Sequence, residues 1–202
     1  MLTMPETSSN VAVIVGLDPG SFKLGVSVLC FDLVTYQIVS TEAWTLDGVK
    51  LARDNPWVTE IHGELEGRLF AMRDALSTTL HYFQPLLVAS EAPFISKKFP
   101  QAGLVLTRVV SAVRQAVMRY DVWKSLDIVD PPTVKMAVGA PGNAPKEVVK
   151  EKVMLLPGLN YIGTVPLGSL DEHSIDALAV SYGRYRKLLE ELCLVLPNSK
   201  SR

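Results

Sequence analysis

The chain has 202 residues, 48% of them hydrophobic, and a formal net charge of −1 at neutral pH. This length and apolar content predict one globular domain with a sizeable core, and they argue against intrinsic disorder. The near-neutral charge excludes a uniformly basic surface, so any contact with nucleic acid has to come from lysines clustered on one face.

The ends of the chain and its cysteines indicate the cellular compartment in which the protein is expected. The first residues lack the charged and apolar segments of a signal peptide, and no apolar run is long enough for a membrane span. We therefore expect a cytoplasmic protein, of a bacterial cell or a phage-infected host, without a membrane partner. Cys30 and Cys193 lack metal-type spacing and are expected to be buried thiols. We predict disorder over residues 1–10 and 196–202, and a single nuclease domain over 11–195.

Three strands are predicted near the start of this domain. Residues 11–17 form a continuous apolar run that is typical of a strand buried on both faces, and residues 24–31 and 36–46 favour two more strands. Their short connections indicate an antiparallel meander. A loop is expected over residues 47–56, and a long amphipathic helix over 59–83, where apolar residues recur every three to four positions.

Helices and strands alternate in the remainder of the chain. Residues 86–90 and 126–129 favour buried strands, and residues 101–120 favour a helix with apolar residues on more than one face, which is either sandwiched or turned to a second subunit. After a Gly- and Pro-containing loop, helices are predicted over residues 144–155 and 170–192. Early strands followed by alternating elements indicate a mixed α/β domain.

The last predicted helix has a sequence signature at its start. Ser169 is followed three residues later by Glu172, which is the spacing of a capping box. Asp171 and Glu172 lie in the first turn, where capping and the helix dipole account for both.

Acidic residues stand at the ends of three predicted elements. Asp18 and Glu91 each follow a buried strand, and Asp176 lies on the last helix, three residues after His173 and therefore on the same face. Carboxylates that converge in a half-buried position repel one another unless a cation neutralises them, and oxygen ligands suit Mg²⁺ or Mn²⁺. Taken singly, each residue also has a purely structural interpretation, as a turn residue, a strand end or a surface histidine.

Four segments, taken together, carry a family resemblance. In order and spacing they resemble motifs of the RuvC family of Holliday junction resolvases. They are Gly16-Leu17-Asp18-Pro19-Gly20-Ser21, Ser90-Glu91-Ala92-Pro93-Phe94, residues 132–149, and His173-Ser174-Ile175-Asp176-Ala177-Leu178-Ala179. The resemblance covers residues 13–182 and implies a ribonuclease H-like fold with a mixed central sheet flanked by helices. We interpret the chain as a divergent member, compatible with a bacteriophage source.

The resemblance also implies roles for individual residues. Asp18, Glu91 and Asp176 match metal-binding carboxylates, and His173 stands where many members have another Asp. Lys146 matches a catalytic basic residue that also contacts DNA. Matches to DNA-binding residues are Phe94, which stacks on bases at the junction centre, and Lys97, Lys135 and Lys146. Phe94 has an equally weighted interpretation as a core residue, and Lys98 and Lys150 are expected to be solvated surface lysines.

The function implied by the resemblance is metal-dependent cleavage of four-way DNA junctions by paired symmetrical nicks, in recombination, repair or phage DNA processing. Two Mg²⁺ ions per site, replaceable by Mn²⁺, are expected. Two cuts on a near-symmetrical junction imply a homodimer, with the helix at 101–120 as its interface. Two alternatives stay open: a ribonuclease H-like nuclease acting on flaps, branched DNA or RNA, and a non-catalytic junction-binding protein. An actin-like kinase, suggested by residues 17–20, would need a second domain that 202 residues do not hold.

Overall fold

A computed structural model describes residues 10–93 and 100–192. The centre is a five-stranded sheet in the order β3-β2-β1-β4-β5. β1, β2 and β3 form the expected antiparallel meander, and β4 and β5 run parallel to β1. The sheet is therefore mixed, as predicted. Its strands are β1 (Val11–Pro19), β2 (Lys23–Asp32), β3 (Ile38–Asp47), β4 (Leu87–Glu91) and β5 (Leu126–Val129).

Helices cover both faces of the sheet. The described helices are α1 (Gly48–Leu51), α2 (Pro56–His62), α3 (Glu64–Phe83), α4 (Pro100–Tyr120), α5 (Pro131–Ala137), α6 (Lys146–Met154) and α7 (Glu172–Glu191). α3 and α4 pack with one set of strand residues, which includes Val15 and Leu17. α5, α6 and α7 pack with the other set, which includes Ile14. The alternation along β1 thus feeds two apolar cores, which is why the strand reads as continuously hydrophobic.

Several predicted features fall differently in the structure. The helix expected over 59–83 is broken at Gly63, whose φ of 88° no helical residue adopts, so α2 and α3 are separate. The loop expected over 47–56 contains α1, which is capped by Asp47 through bonds from the amides of Val49 and Lys50. Helices this short depend on tertiary packing and on caps rather than on propensity, and periodicity therefore does not reveal them.

One helix was not predicted, and the start of another was assigned to the wrong cap. The segment after Pro131 forms α5, because Asp130 accepts a bond from Thr133 N and prolines are compatible with a first helical turn. The prediction of a capping box formed by Ser169 and Glu172 is wrong. The cap of α7 is Asp171, which accepts a hydrogen bond from Ser174 N at 3.0 Å.

The remaining predictions concern burial and the ends of the chain. Cys30 is buried, as expected, and burial raises the pKa of its thiol. Cys193 and nearly all of the predicted disordered ends lie outside the described residues. In the described ranges, no helix has the length and apolar character needed to cross a membrane.

Helix α7 packs very closely on β1 and β2. A Cβ added at Gly16 would lie 2.5 Å from the backbone of Ala177 and Ser181, and one added at Gly25 would overlap the carbonyl of His173. Between the strands and the helix, the buried Ser27 hydroxyl donates to Ala177 O at 2.6 Å. Only glycine at these two positions lets the helix backbone come this near to the sheet.

The Gly25→Ala variant tests this packing. The new methyl group has to displace helix backbone, and we expect the free energy of unfolding to fall by about 1–3 kcal/mol, as for overpacked cores. Urea denaturation measures it. The control is Gly168→Ala, whose added Cβ would make only an ordinary contact with Met154 at 3.6 Å. Equal stability of the two variants would contradict the close approach.

Candidate active site

Two neighbouring parallel strands place the first pair of acidic residues. Leu17 of β1 pairs with Ser90 of β4, so the following residues, Asp18 and Glu91, stand side by side where the strands end. The Asp18 side chain is 14% exposed. The strand residues before them are buried, which fixes both backbones. The pairing of the two strands therefore sets the distance between the two carboxyl groups.

The start of α7 brings two more residues to this edge. The His173 ring donates from Nδ1 to Asp18 Oδ2 at 2.6 Å. Asp176, one turn further along the helix, has an 18% exposed side chain. The structure thus brings together Asp18, Glu91, His173 and Asp176, which are the four residues singled out in the sequence as metal ligands.

Burial and nearby negative charges raise the pKa of two carboxyl groups in this cluster, Glu91 and Asp176. Burial, followed by the negative charges of Asp18 and Asp176, raises the pKa of Glu91 to about 8. Burial and the charge of Asp18 raise the pKa of Asp176 to about 6. The hydrogen bond to Asp18 raises the pKa of His173 against the opposing effect of burial. A divalent cation bound among these carboxyl groups would relieve their repulsion and favour their ionised forms.

Lys146 stands beside this cluster, at the first residue of α6. Its Nζ lies 2.8 Å from Glu172 Oε2 and 3.7 Å from Asp176 Oδ2. Burial disfavours the ammonium ion, but the hydrogen bond to Glu172 and the nearby carboxylates outweigh burial and raise the pKa of Lys146. The lysine is therefore charged at neutral pH. Glu172, which was assigned to helix capping alone, holds it from a position 26 residues away, and no local sequence signal reveals such a pair.

The other predicted basic residues differ in their surroundings. Lys135 donates to Ala144 O at 2.7 Å, and its charge acts on Glu91, so it lies near the cluster while tying down the loop before α6. Lys150 was expected to be a solvated surface lysine, which is wrong, because its Nζ donates to Leu170 O at 3.1 Å. Phe94, Lys97 and Lys98 lie outside the described residues.

The donor set fits hard divalent cations. Three carboxyl groups and one imidazole meet in one half-buried place. The carboxylates repel one another, and a divalent cation bound between them would neutralise their charge. Within residues 10–93 and 100–192, no three acidic, histidine or cysteine side chains already have the arrangement of a completed metal site. Asp18 is engaged by His173 instead, an interaction that fixes the imidazole through Nδ1.

Glu91→Gln tests the repulsion within the cluster. The pKa of Glu91 is raised from its ordinary value of 4.5 to about 8 in the folded chain. Between these two pH values the folded protein keeps a proton that the unfolded chain has lost, so the free energy of unfolding falls as pH rises. The amide cannot ionise. Without divalent ions, we expect the Tm of the variant to rise relative to that of wild type as pH is raised from 4.5 to 8. Added Mg²⁺ should raise the Tm of the variant less than it raises the Tm of wild type.

Thermal denaturation at a series of pH values, with a chelator and with Mg²⁺, measures both effects. Glu151→Gln, at an exposed position of α6, controls for the loss of a carboxylate as such. A wild type that is more stable than Glu91→Gln at pH 8 in chelator would contradict a repulsive cluster.

Comparison with known proteins supports one family. No family model matches the chain. The chain is 28% identical over 182 residues to the crossover junction endodeoxyribonuclease RuvC of Thermomicrobium roseum, which covers 86% of this chain and 94% of that protein.

Two solved structures share the fold. RuvC of T. thermophilus in complex with a Holliday junction substrate superposes with a TM-score of 0.62 at 22% identity, over 89% of this chain and 96% of that one. The yeast mitochondrial Holliday junction resolvase Ydc2 superposes with a TM-score of 0.53 at 14% identity, over 90% and 85% of the chains. The predicted ribonuclease H-like architecture is confirmed by these neighbours, and the chain is similar to RuvC proteins both in sequence and in fold.

Proposed function

We propose that the chain is a structure-selective endodeoxyribonuclease that resolves four-way DNA junctions by paired symmetrical nicks, in recombination, repair or phage DNA processing. The observation that carries this proposal is the convergence of Asp18, Glu91, His173 and Asp176 at one edge of a RuvC-like sheet, with Lys146 beside them. A relative named as a crossover junction endodeoxyribonuclease supports the choice of substrate.

Asp18, Glu91 and Asp176 would hold the cations through carboxylate oxygens, with His173 contributing its imidazole. We propose Mg²⁺, with Mn²⁺ able to substitute, at two ions per active site. Such ions polarise the scissile phosphate and lower the pKa of the attacking water. Because the four side chains come from two strand ends and one helix, the packing of α7 sets their mutual geometry.

Lys146 would stabilise the scissile phosphate with its positive charge. Its ammonium group lies at the rim of the cluster, held there by Glu172 at 2.8 Å, and points toward Asp176 at 3.7 Å. A phosphate bound at the carboxylates would come within reach of this group. A fixed positive charge stabilises the negative charge that develops on phosphate oxygens, and its long-range attraction holds the backbone.

DNA binding would extend from Lys146 to Lys135, Lys97 and Phe94. Backbone contacts from lysines position a duplex arm without reading its sequence, so we propose recognition of junction shape. Phe94 would stack on bases at the junction centre. In a chain with net charge −1, such backbone contacts would depend on a few lysines, so affinity should fall with added salt.

A homodimer would present two active sites to the two strands that are cut. In α4, Val109, Val113 and Val117 are buried against the sheet, while Leu104 and Met118 are 67% and 53% exposed on the outer side. We propose this outer side of α4 as the interface, because a two-fold interface between copies would cover these apolar side chains.

Asp18→Asn tests the proposed activity. The substitution keeps the shape of the side chain but removes one charge from the cation site, and we expect nicking of a synthetic four-way junction in Mg²⁺ or Mn²⁺ to fall at least about a hundredfold. Gel analysis of end-labelled strands measures the rate and the symmetry of the cuts. Asp74→Asn, on the opposite, α3–α4 side of the sheet, is the matched control.

The same assay separates the alternatives. Plain duplex, flap and RNA–DNA hybrid substrates accompany the junction. Faster cutting of flap or hybrid would assign the chain to another nuclease class of the same fold. Tight junction binding without any cutting by wild type would assign it to non-catalytic junction-binding proteins.

Lys146→Met separates catalysis from binding. Loss of the charge at the phosphate should lower the single-turnover cleavage rate about 10²–10³-fold, as for other fixed electrostatic groups, while junction affinity changes much less. Comparing the rate with the Kd from a gel-shift titration checks this. A variant that loses affinity and keeps its single-turnover rate would show that Lys146 serves binding alone.

A further inference from the structure

The turn between β1 and β2, which follows Asp18, carries an exposed aromatic ring. Phe22 is 57% exposed and lies four residues after Asp18. Gly20, on the same turn, lies against the His173 ring, since a Cβ added there would be 3.4 Å from Cε1. The turn that carries Phe22 thus contacts the proposed active site through Gly20, two residues before the aromatic side chain.

This turn is fixed by three contacts from the α1–α3 side. Arg68 Nε donates to Ser21 O at 3.0 Å, and Gly48 N donates to Phe22 O at 2.8 Å. The Arg68 guanidinium, whose side chain is only 11% exposed, lies 4.2 Å from the centroid of the Phe22 ring. One face of the ring is therefore covered by a buried cation, and the ring is held in place while it stays half exposed.

The ring also lines a cavity of about 410 Å³. Its other walls come from the segment between β3 and α3, and α2 in that segment buries none of its residues in the core. The main lining residues are Phe22, Val49, Ala52, Arg53, Pro56 and Arg68. The cavity is of the size that small ligands occupy, with mostly apolar walls and a few polar groups.

Two carboxylates narrow the choice of occupant. Glu60 and Glu64 also line the cavity, and Glu64 pairs with Arg68 at 3.6 Å. These two carboxylates offset the positive charges of Arg53 and Arg68, so the cavity has no net positive charge to attract a phosphate. A nucleobase can stack on the exposed part of the ring and donate an exocyclic amino group to a carboxylate. Adenine, cytosine and guanine carry such a group, and thymine does not.

We propose that this cavity, the Phe22 pocket, receives a base of the DNA strand next to the scissile phosphate, with Phe22 as its stacking platform. The inference rests on the proposed function, because the DNA has to lie across the acidic cluster for a neighbouring base to reach the pocket. Continuity of the turn from Asp18 to Phe22 supports this occupant over an unrelated ligand. The pocket favours an amino-bearing base, and it thereby contributes to the choice of cleavage site.

A double-mutant cycle between protein and DNA tests the inference. Junction Kd is measured by fluorescence anisotropy in chelator for wild type, Phe22→Ala, Phe22→Leu and Phe22→Tyr. Junctions with a single abasic site at each position around the cut provide the second change. Without an aromatic ring on which the base can stack, the Ala and Leu variants should bind the intact junction about tenfold more weakly than wild type, while the Tyr variant should retain its affinity. One abasic position should abolish the difference between Ala and wild type.

The control is Trp123→Ala, an aromatic that is 92% exposed on the turn between α4 and β5 and should leave binding unchanged. An unchanged Kd for Phe22→Ala, or a loss that persists on every abasic junction, overturns the pocket. Altered assembly of Phe22→Ala in gel filtration also overturns it, because the ring would then serve a subunit contact. If wild type cuts junctions while these results fail, only this inference falls. If wild type shows no preference for junctions, the proposed function falls with it.

Discussion

The approach of α7 to the sheet is the constraint on which the candidate site depends. Gly16 and Gly25 leave no side chain between strand and helix, and Ser27 fills the narrow space with a hydroxyl bonded to Ala177 O at 2.6 Å. A helix held further out, at the separation that ordinary side chains impose, would carry His173 away from Asp18. The two cores on either side of the sheet then fix this geometry in a rigid domain.

The same packing creates an electrostatic cost. It buries carboxyl groups close to one another, and burial together with the negative charges of Asp18 and Asp176 raises the pKa of Glu91 to about 8. A fold optimised for stability alone would replace one of them with a neutral residue. Retention of charge at the expense of stability is common where function needs an unfavourable cluster. Lys146 places a positive charge 3.7 Å from Asp176 Oδ2, which partly offsets the negative charge of the cluster.

Local patterns in the sequence account for much of the fold. The apolar run before Asp18 and the run before Glu91 predict the strands that place both carboxyl groups, and the three-residue spacing of His173 and Asp176 predicts their shared helix face. What the sequence did not reveal depends on distant contacts. The pair of Lys146 and Glu172 is one example, and the clamp of Arg68 on Ser21 and Phe22 is another.

Short elements were the other weakness of the sequence analysis. α1 and α5 are held by the caps Asp47 and Asp130, which read as loop residues when only periodicity is considered. The break at Gly63 interrupts an otherwise regular apolar spacing, because a positive φ leaves no trace in hydrophobic periodicity. Lys150 was taken for a surface lysine because nothing in its own helix indicates the carbonyl of Leu170.

The central claim, that the cluster of Asp18, Glu91, His173 and Asp176 binds divalent cations, is tested most directly by calorimetric titration with Mg²⁺ or Mn²⁺. Titrations near pH 7 in two buffers of different ionisation enthalpy report both binding and proton exchange. We expect binding with net release of protons, because Glu91, with its pKa raised to about 8, has to ionise before it can coordinate a cation. Asp18→Asn should abolish or greatly weaken this binding. Absence of binding to wild type, or equal binding with equal proton release in the variant, would contradict the claim.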